Sequence, residues 1–213
     1  ISANVPYGEI DKIKAVDGVE DVVVATRFTP DVVSIGDVDP QMEVSTGMTG
    51  SSIAWSSGYT GAGMRIAIVD TGLDLTHQSF DSAAYDYAIA EDAKNDGVSI
   101  DSYDLLDKAE IVEKLPQLHV SQMSGASADD LYVSSKIPFG FNYVDQDLDL
   151  EHVNDQEGEH GSHVAGIAAA NRYLNDNGTF TSALDSVHMV GNAPDAQVLV
   201  MKVFGQGGGA YSD

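Results

Sequence analysis

The sequence contains no cysteine and few basic residues. Without cysteine, the 213-residue chain can form no disulfide and offers no thiol nucleophile. Ten lysines and arginines stand against 34 aspartates and glutamates, which gives a formal net charge of −24. Such a chain repels polyanions, so we expect neither a nucleic acid nor an anionic membrane surface as a partner. A calcium ion or a basic protein suits this charge better, and a simple solvated acidic surface is the alternative explanation.

Long hydrophobic runs are also absent. No apolar run approaches the roughly 20 residues of a transmembrane helix, and no signal peptide opens the sequence. Residues 1–5 resemble the interior of a β-strand, which predicts that the natural chain begins further upstream. The length suits one domain, or two small ones, with a substantial hydrophobic core.

Two short motifs carry polar residues where α/β proteins place their chemistry. In residues 66–72, IAIVDTG, an apolar β-type run ends at Asp70. The C-terminal tips of parallel strands form the ligand-binding edge of such sheets. In residues 160–170, HGSHVAGIAAA, His160 opens a run of small and apolar residues typical of a tightly packed helix. The pattern predicts a carboxylate and a base, two of the three groups of a Ser-His-Asp relay.

Acyl transfer explains why these two residue types would act together. A serine hydroxyl is too weak an acid to attack unaided, so an imidazole with a pKa near 6.5 must take its proton. A buried carboxylate then fixes the imidazole tautomer, and we assign these catalytic roles to His160 and Asp70. A zinc site on His160 and His163 is the alternative, but zinc helices space their histidines by four residues with an adjacent glutamate. We therefore expect His163 to be a packed residue.

The two motifs, in this order, resemble those of the subtilases, the subtilisin-like serine peptidases. The resemblance runs from about Ile53 to the end of the sequence, with an unmatched insertion at about 81–137. The acidic insertion and residues 202–205, KVFG, are most similar to the cell-envelope proteinases of Gram-positive bacteria, the lactocepin group. The resemblance implies an α/β, subtilisin-like three-layer fold with a mainly parallel central sheet, incomplete at the C-terminal side. It also implies a serine endopeptidase that acts on proteins or peptides and is secreted or associated with the cell envelope.

The resemblance implies further site residues. Gly207, Gly208 and Gly209 match a glycine-containing edge that pairs with substrate as an added β-strand, and Tyr211 matches an aromatic residue of a distal substrate pocket. A flexible surface turn is the alternative. In subtilases a loop after the aspartate carries a calcium ligand, but Ser79 occupies that position here.

The nucleophile of the family is missing from these residues. Subtilases carry it in a Gly-Thr-Ser-Met-Ala type of motif, preceded by an oxyanion asparagine, and neither occurs here. Ser162 is no substitute, because it lies in the same helical turn as His160. We therefore expect the 213-residue chain to be inactive alone and to need a C-terminal part that carries the serine. The competing hypothesis is a non-catalytic, calcium-dependent surface or binding module that keeps the fold.

Domain organisation follows from pattern breaks along the chain. Residues 1–28 predict strand, helix and strand, with the second strand at 19–26. Residues 1–30 resemble the end of an inhibitory subtilase propeptide. An N-terminal decoration without a regulatory role is the alternative. Residues 31–52 predict a linker that is cut on activation, and 53–213 the first part of the peptidase domain. The insertion predicts a helix over 103–115 and a mobile polar loop.

The segment that precedes His160 in the sequence is rich in acidic residues. Asp145, Asp147, Asp149 and Glu151 alternate along residues 145–159, which we call the acidic loop. Hard oxygen ligands of this kind bind calcium, although the glycine and the terminal glutamate of an EF-hand are missing. The acidic loop is therefore predicted to hold a structural calcium ion or to form an acidic rim of the substrate cleft.

Overall fold

The computed structural model describes residues 5–24, 27–28, 42–120, 125–152, 155, 158–205 and 210–211. Their strands are β1 Arg27–Phe28, β2 Arg65–Asp70, β3 Phe139–Asn142, β4 Tyr173–Asp176, β5 Thr179–Ser182, β6 Gln197–Lys202 and β7 Ala210–Tyr211. Their α-helices are α1 Ile10–Lys14, α2 Met42–Thr49, α3 Ser51–Ser56, α4 Ser82–Asp96, α5 Lys108–Lys114, α6 Ala128–Leu131, α7 His160–Ala169 and α8 Ala183–Val187. None of the helices within these ranges is both long and apolar enough to span a membrane.

A three-stranded parallel sheet lies at the centre, in the order β2-β6-β3. Residues 196–204 form a near-continuous apolar run, which is typical of a parallel strand covered on both faces, and they contain β6, whose Val198 and Val200 are buried. Because all three strands run the same way, their C-terminal ends meet at one edge of the sheet. Asp70 and Asn142 both lie opposite Lys202 in the register at this edge. The predicted α/β architecture with a parallel sheet is confirmed.

Helix α7 packs tightly on this sheet, as its small residues predict. Its buried positions are Gly161, Ala165, Gly166 and Ala169, which let the helix backbone approach the loop after β2. The prediction that His163 packs is wrong, because this side chain is exposed. The main core lies between α7 and the sheet and consists of Ile68, Leu73, Phe80, Ile137, Leu150, Ala165, Ala169, Val198 and Val200.

The insertion contains more helix than the sequence indicated. Helix α4 was not predicted; it begins where the Asp81 carboxylate accepts the Ala84 N–H and ends at Gly97, which has a φ of 67°. The helix predicted over 103–115 is shortened to α5, because Asp104 adopts a φ of 51° and interrupts the pattern. Helices α5 and α6 and strand β3 contribute to a second core, whose members are Ile111, Val120, Ala126, Ala128, Leu131, Phe139 and Phe141.

The N-terminal region departs from the expected second strand, and the first expected strand falls mainly on residues 1–4, which lie outside the described ranges. Helix α1 forms, but residues 19–24 belong to no strand, and Val23 and Val24 remain exposed. An extended segment needs a neighbouring strand for its backbone hydrogen bonds, and among the described N-terminal residues only the short β1 has one. The predicted linker at 31–52 contains α2, which the Met42 N–H anchors to the His188 carbonyl; residues 31–41 lie outside the described ranges.

The end of the sheet opposite the Asp70 edge contains buried charges. Lys136 is fully buried, and its ammonium donates to the carbonyls of Pro194 and Ala196, both at 2.8 Å. Arg172 forms ion pairs with Asp92 at 2.5 Å and with the fully buried Asp195 at 3.0 Å; the carboxylate of Asp92 also accepts the Thr60 hydroxyl at 2.6 Å. Burial lowers the pKa of Lys136 to about 7, against the opposing attraction of Asp195.

Candidate active site

The structure brings Asp70 and His160 together, although 90 residues separate them in the chain. His160 Nδ1 lies 2.8 Å from Asp70 Oδ1, a normal distance for a charge-assisted hydrogen bond. The Asp70 side chain is 13% exposed and that of His160 is 34% exposed. The carboxylate is therefore largely shielded, while part of the imidazole faces solvent, where a substrate could reach it.

The position of Asp70 follows from its place at the end of β2. Its Oδ1 also accepts the Thr71 N–H at 2.7 Å, so one oxygen receives both a backbone donor and the imidazole. A neutral imidazole that donates from Nδ1 keeps its lone pair on Nε2. The pair therefore presents a base whose tautomer is set by the carboxylate.

Backbone contacts fix the other partner at the start of α7. The Gly161 N–H donates to Thr71 Oγ1 at 2.9 Å, and that hydroxyl donates to the Gly158 carbonyl at 3.2 Å. A Cβ on Gly161 would lie 2.2 Å from the Gly72 carbonyl oxygen, so only glycine allows this approach. Thr71 thus links the Asp70 loop directly to the turn that carries His160.

Ser162 is engaged in a network of hydrogen bonds around the start of α7. Its Oγ accepts the Asp74 N–H at 2.9 Å and lies 3.0 Å from Nε2 of the buried His152. Burial raises the pKa of Asp74, but hydrogen bonds from the Thr76 hydroxyl and N–H outweigh this and lower it overall. The network therefore holds the loop after β2 against the first turn of α7.

Sequence reasoning missed four residues around the pair: Thr71, His152, Asp155 and Lys202. Lys202 is fully buried at the end of β6. Its ammonium lies 2.6 Å from Asp155 Oδ2 and donates to the Glu151 carbonyl at 2.5 Å. A lysine at the end of an otherwise apolar strand run was the one available signal, since such a side chain needs a buried partner.

The predicted substrate edge is described only in part. Gly207, Gly208 and Gly209 lie outside the described ranges. The backbone of Tyr211 belongs to β7, which pairs antiparallel with β1 so that Arg27 lies opposite Tyr211 and Phe28 opposite Ala210. A segment of the N-terminal region therefore pairs with the backbone at Tyr211, one of the positions that the resemblance assigned to substrate binding.

The predicted calcium ligands can be compared with the described part of the acidic loop. Asp145 and Asp147 converge on one donor, the Asn142 amide, at 3.2 and 2.8 Å. Nowhere in the described ranges do three histidine or acidic side chains group as metal ligands would. Ser79 offers no carboxylate, and its carbonyl accepts the Asn171 N–H at 2.8 Å. The described residues alone thus do not fit a preformed calcium site.

Comparison with known families agrees with this geometry. The sequence profile of the subtilase family matches residues 61–213, which include both Asp70 and His160. The chain belongs to the subtilase family. The observed parallel sheet, with α7 packed against it, is consistent with the fold of this family.

Several bacterial proteinases are similar to this subtilase chain. A PII-type proteinase of Lacticaseibacillus paracasei is 31% identical over 95% of this chain, and one of Lactococcus lactis subsp. cremoris is 30% identical over the same share. The minor extracellular protease Vpr of Bacillus subtilis is 27% identical over the whole chain. The chain spans only 8% of the length of the first two relatives and 20% of Vpr.

Proposed function

We propose that this chain is part of a serine endopeptidase and supplies two members of its Ser-His-Asp relay. The observation that carries the proposal is the 2.8 Å contact between His160 Nδ1 and Asp70 Oδ1 at the C-terminal edge of the parallel sheet. Family membership supports the peptidase class, and the substrates proposed are proteins or peptides.

In the proposed mechanism, each residue moves or stabilises charge at a defined atom. His160 Nε2 removes the proton of the serine hydroxyl as its oxygen attacks the scissile carbonyl carbon. The imidazolium that forms is stabilised by the Asp70 carboxylate, which keeps its own charge throughout. His160 then gives the proton to the leaving amine, and water repeats the sequence to release the acyl group.

The nucleophile is proposed to come from residues that follow Asp213. We call this chain together with those residues the extended protein. Without the serine, no acyl-enzyme can form. Without an oxyanion asparagine, the transition state loses roughly 3 to 4 kcal/mol of stabilisation. The 213-residue chain alone is accordingly proposed to be inactive.

The N-terminal residues are proposed to hold the enzyme as a zymogen. Backbone pairing of β1 with β7 supports this, because residues 27–28 lie antiparallel to residues 210–211, which follow the glycines proposed to pair with substrate. Residues 1–30 would then act as an inhibitory propeptide and 31–52 as the segment cut on activation. Gly207, Gly208, Gly209 and Tyr211 are proposed to bind the substrate main chain after the propeptide leaves.

Location and cofactor complete the proposal. The name of the Bacillus subtilis relative describes an extracellular protease, and we propose secretion or cell-envelope association in a Gram-positive bacterium. Structural calcium remains a prediction from the acidic loop, with the convergent carboxylates Asp145 and Asp147 as its starting point. No step of the proposed mechanism uses an ion.

The test is a fluorogenic peptide assay on the extended protein. Asp70→Asn should lower kcat about 10⁴-fold, because the imidazole would then be held in the wrong tautomer. Asp129→Asn is the matched control, since this exposed aspartate only pairs with Lys108 at the surface. An unchanged kcat in Asp70→Asn would refute the relay. Turnover by the 213-residue chain that phenylmethylsulfonyl fluoride blocks would refute the position assigned to the nucleophile.

A further inference from the structure

Lys202 carries a buried charge at the C-terminal edge of the parallel sheet, where Asp70 also lies. It ends the middle strand of the sheet, with Asp70 opposite on one side and Asn142 on the other. Its side chain has no exposed area, and its Cδ lies 3.2 Å from the place where a Cβ on Gly72 would stand. An ammonium group so deeply buried is tolerated only with close, well-directed partners.

Both partners of this ammonium come from the segment that leads to His160. Lys202 Nζ donates to the Glu151 carbonyl at 2.5 Å and pairs with Asp155 Oδ2 at 2.6 Å. The Asp155 side chain is only 2% exposed, so the ion pair is buried on both sides. The end of β6 is thereby tied to the segment that precedes His160 in the sequence.

The same segment also forms hydrogen bonds with the loop after Asp70 and with helix α7, which begins at His160. The Leu150 carbonyl accepts the Leu73 N–H at 2.9 Å, and the Glu151 carboxylate accepts the Leu75 N–H at 3.3 Å. His152 Nε2 reaches Ser162 in the first turn of α7 at 3.0 Å. We call residues 150–152 with Asp155 the clasp, because they bind three elements that meet at the site.

We propose that Lys202 is a positioning residue for the Asp70–His160 pair and acts through the clasp. The clasp binds the loop that follows Asp70 and also the helix that begins at His160. By holding the clasp in place, the Lys202 ammonium sets the distance between Asp70 and His160. This inference rests on the proposed function and adds to it a residue that touches neither substrate nor nucleophile. The sheet itself is held together by backbone hydrogen bonds. The Lys202 side chain contributes none of these bonds, so its removal leaves the strand pairing intact.

Removal of the ammonium should affect turnover more than substrate binding. In Lys202→Met, the Asp155 carboxylate is left buried without a cation and must move toward water, which draws the clasp away from α7. A displacement of about 1 Å at a catalytic group can cost about 100-fold in rate. We expect kcat of the extended protein to fall at least tenfold, with KM changed less than about threefold.

The experiment compares three variants of the extended protein at a temperature where each is folded. Lys202→Met removes the anchor, and Asp155→Asn keeps the size of its partner while removing the charge. Lys136→Met is the matched control, because Lys136 is equally buried and also donates to backbone carbonyls, but at the opposite end of the sheet. We expect lowered kcat in the first two variants and an unchanged kcat in the control. Equal kcat in all three, whatever their melting temperatures, would overturn the proposal.

A second measurement uses the 213-residue chain and needs no activity. The NMR signal of the proton between His160 Nδ1 and Asp70 Oδ1 reports their hydrogen bond directly. It should shift or broaden in Lys202→Met and Asp155→Asn and stay in place in Lys136→Met. An inactive extended wild-type protein would refute the proposed function, whereas active variants with an unmoved proton signal would refute the positioning role alone.

Discussion

Gly161→Ala tests the backbone contact on which the geometry of the site depends. The new Cβ would lie 2.2 Å from the Gly72 carbonyl oxygen and 3.1 Å from both Gly72 N and Thr71 Oγ1. Ordinary van der Waals contact begins near 3.4 Å, so the two backbones must separate by about 1.2 Å, the difference between 3.4 and 2.2. The obstacle is backbone on both sides, so no side-chain rotation can relieve it.

The separation acts directly on the catalytic pair, because Gly161 follows His160 and Gly72 lies two residues after Asp70. A hydrogen bond of 2.8 Å would lengthen toward about 4 Å, beyond bonding distance. We expect kcat of the extended protein to fall about 100-fold. Overpacking costs about 1 to 3 kcal/mol and exceeds the gain of up to about 1 kcal/mol from replacing a helical glycine, so stability should also fall.

The assays are peptide hydrolysis by the extended protein, urea denaturation, and the NMR signal of the His160 Nδ1 proton. Gly166→Ala is the control: it adds the same methyl to the same helix, but meets only the flexible end of Met189 at 2.9 Å. It should keep kcat within about threefold. If Gly161→Ala also kept kcat and an unshifted proton signal, the close backbone approach would not be what sets the geometry of the pair.

Three further outcomes are expected. Arg172→Met should lower the free energy of unfolding by about 3 to 5 kcal/mol in urea denaturation, because it leaves two buried aspartates, Asp92 and Asp195, without their guanidinium partner. Arg65→Met, which breaks only surface contacts with Glu110 and Asp104, should cost under about 1 kcal/mol. The pKa of Lys136 is lowered from 10.5 to about 7, so between these pH values the unfolded chain binds more protons at this residue and the free energy of unfolding should rise with pH. Lys136→Met should remove that rise. If the free energy of unfolding had the same pH dependence in Lys136→Met and in the wild type, the lowered pKa of Lys136 would be refuted. EDTA should lower the melting temperature of the chain if the acidic loop binds calcium, and an unchanged temperature would leave the loop as a charged surface.

Local patterns predicted the elements that position the active pair. The run before Asp70 forms β2, and the small residues after His160 form the tightly packed α7. Asn177 and Gly178, a residue pair typical of tight hairpin turns, connect β4 and β5 with positive φ values of 50° and 89°. In each case the residue pattern spans no more than about ten residues, so the neighbouring residues in the sequence were sufficient to determine the element.

The missed features depend on contacts between distant parts of the chain. Lys202 finds the Glu151 carbonyl across 51 residues, and no local pattern indicates such a partner. Helix α4 was not predicted because Asp92 occupies one of its buried positions. There it binds Arg172, which lies 80 residues further along the chain. An acid in the apolar stripe hides the helical period, and only the tertiary ion pair explains it. His163 was expected to be packed because its spacing from His160 does not suit a zinc site, but the exposure of a side chain depends on the whole surface around it.

The uncovered face beside the active pair indicates where the nucleophile-bearing part would bind. Among the described strands, β2 is an edge of the sheet, and its Val69 is 57% exposed. Ile167 on α7 is 52% exposed, one turn beyond the exposed His163 on the same helix face. A serine must approach the free Nε2 of His160, since Nδ1 is already bonded to Asp70. The polypeptide that carries it must therefore pack near the start of α7, and pairing along the free edge of β2 would also cover these apolar side chains. On this basis, assembly of the proposed relay and burial of the exposed apolar face are one event, so a substitution such as Val69→Asp should weaken both together.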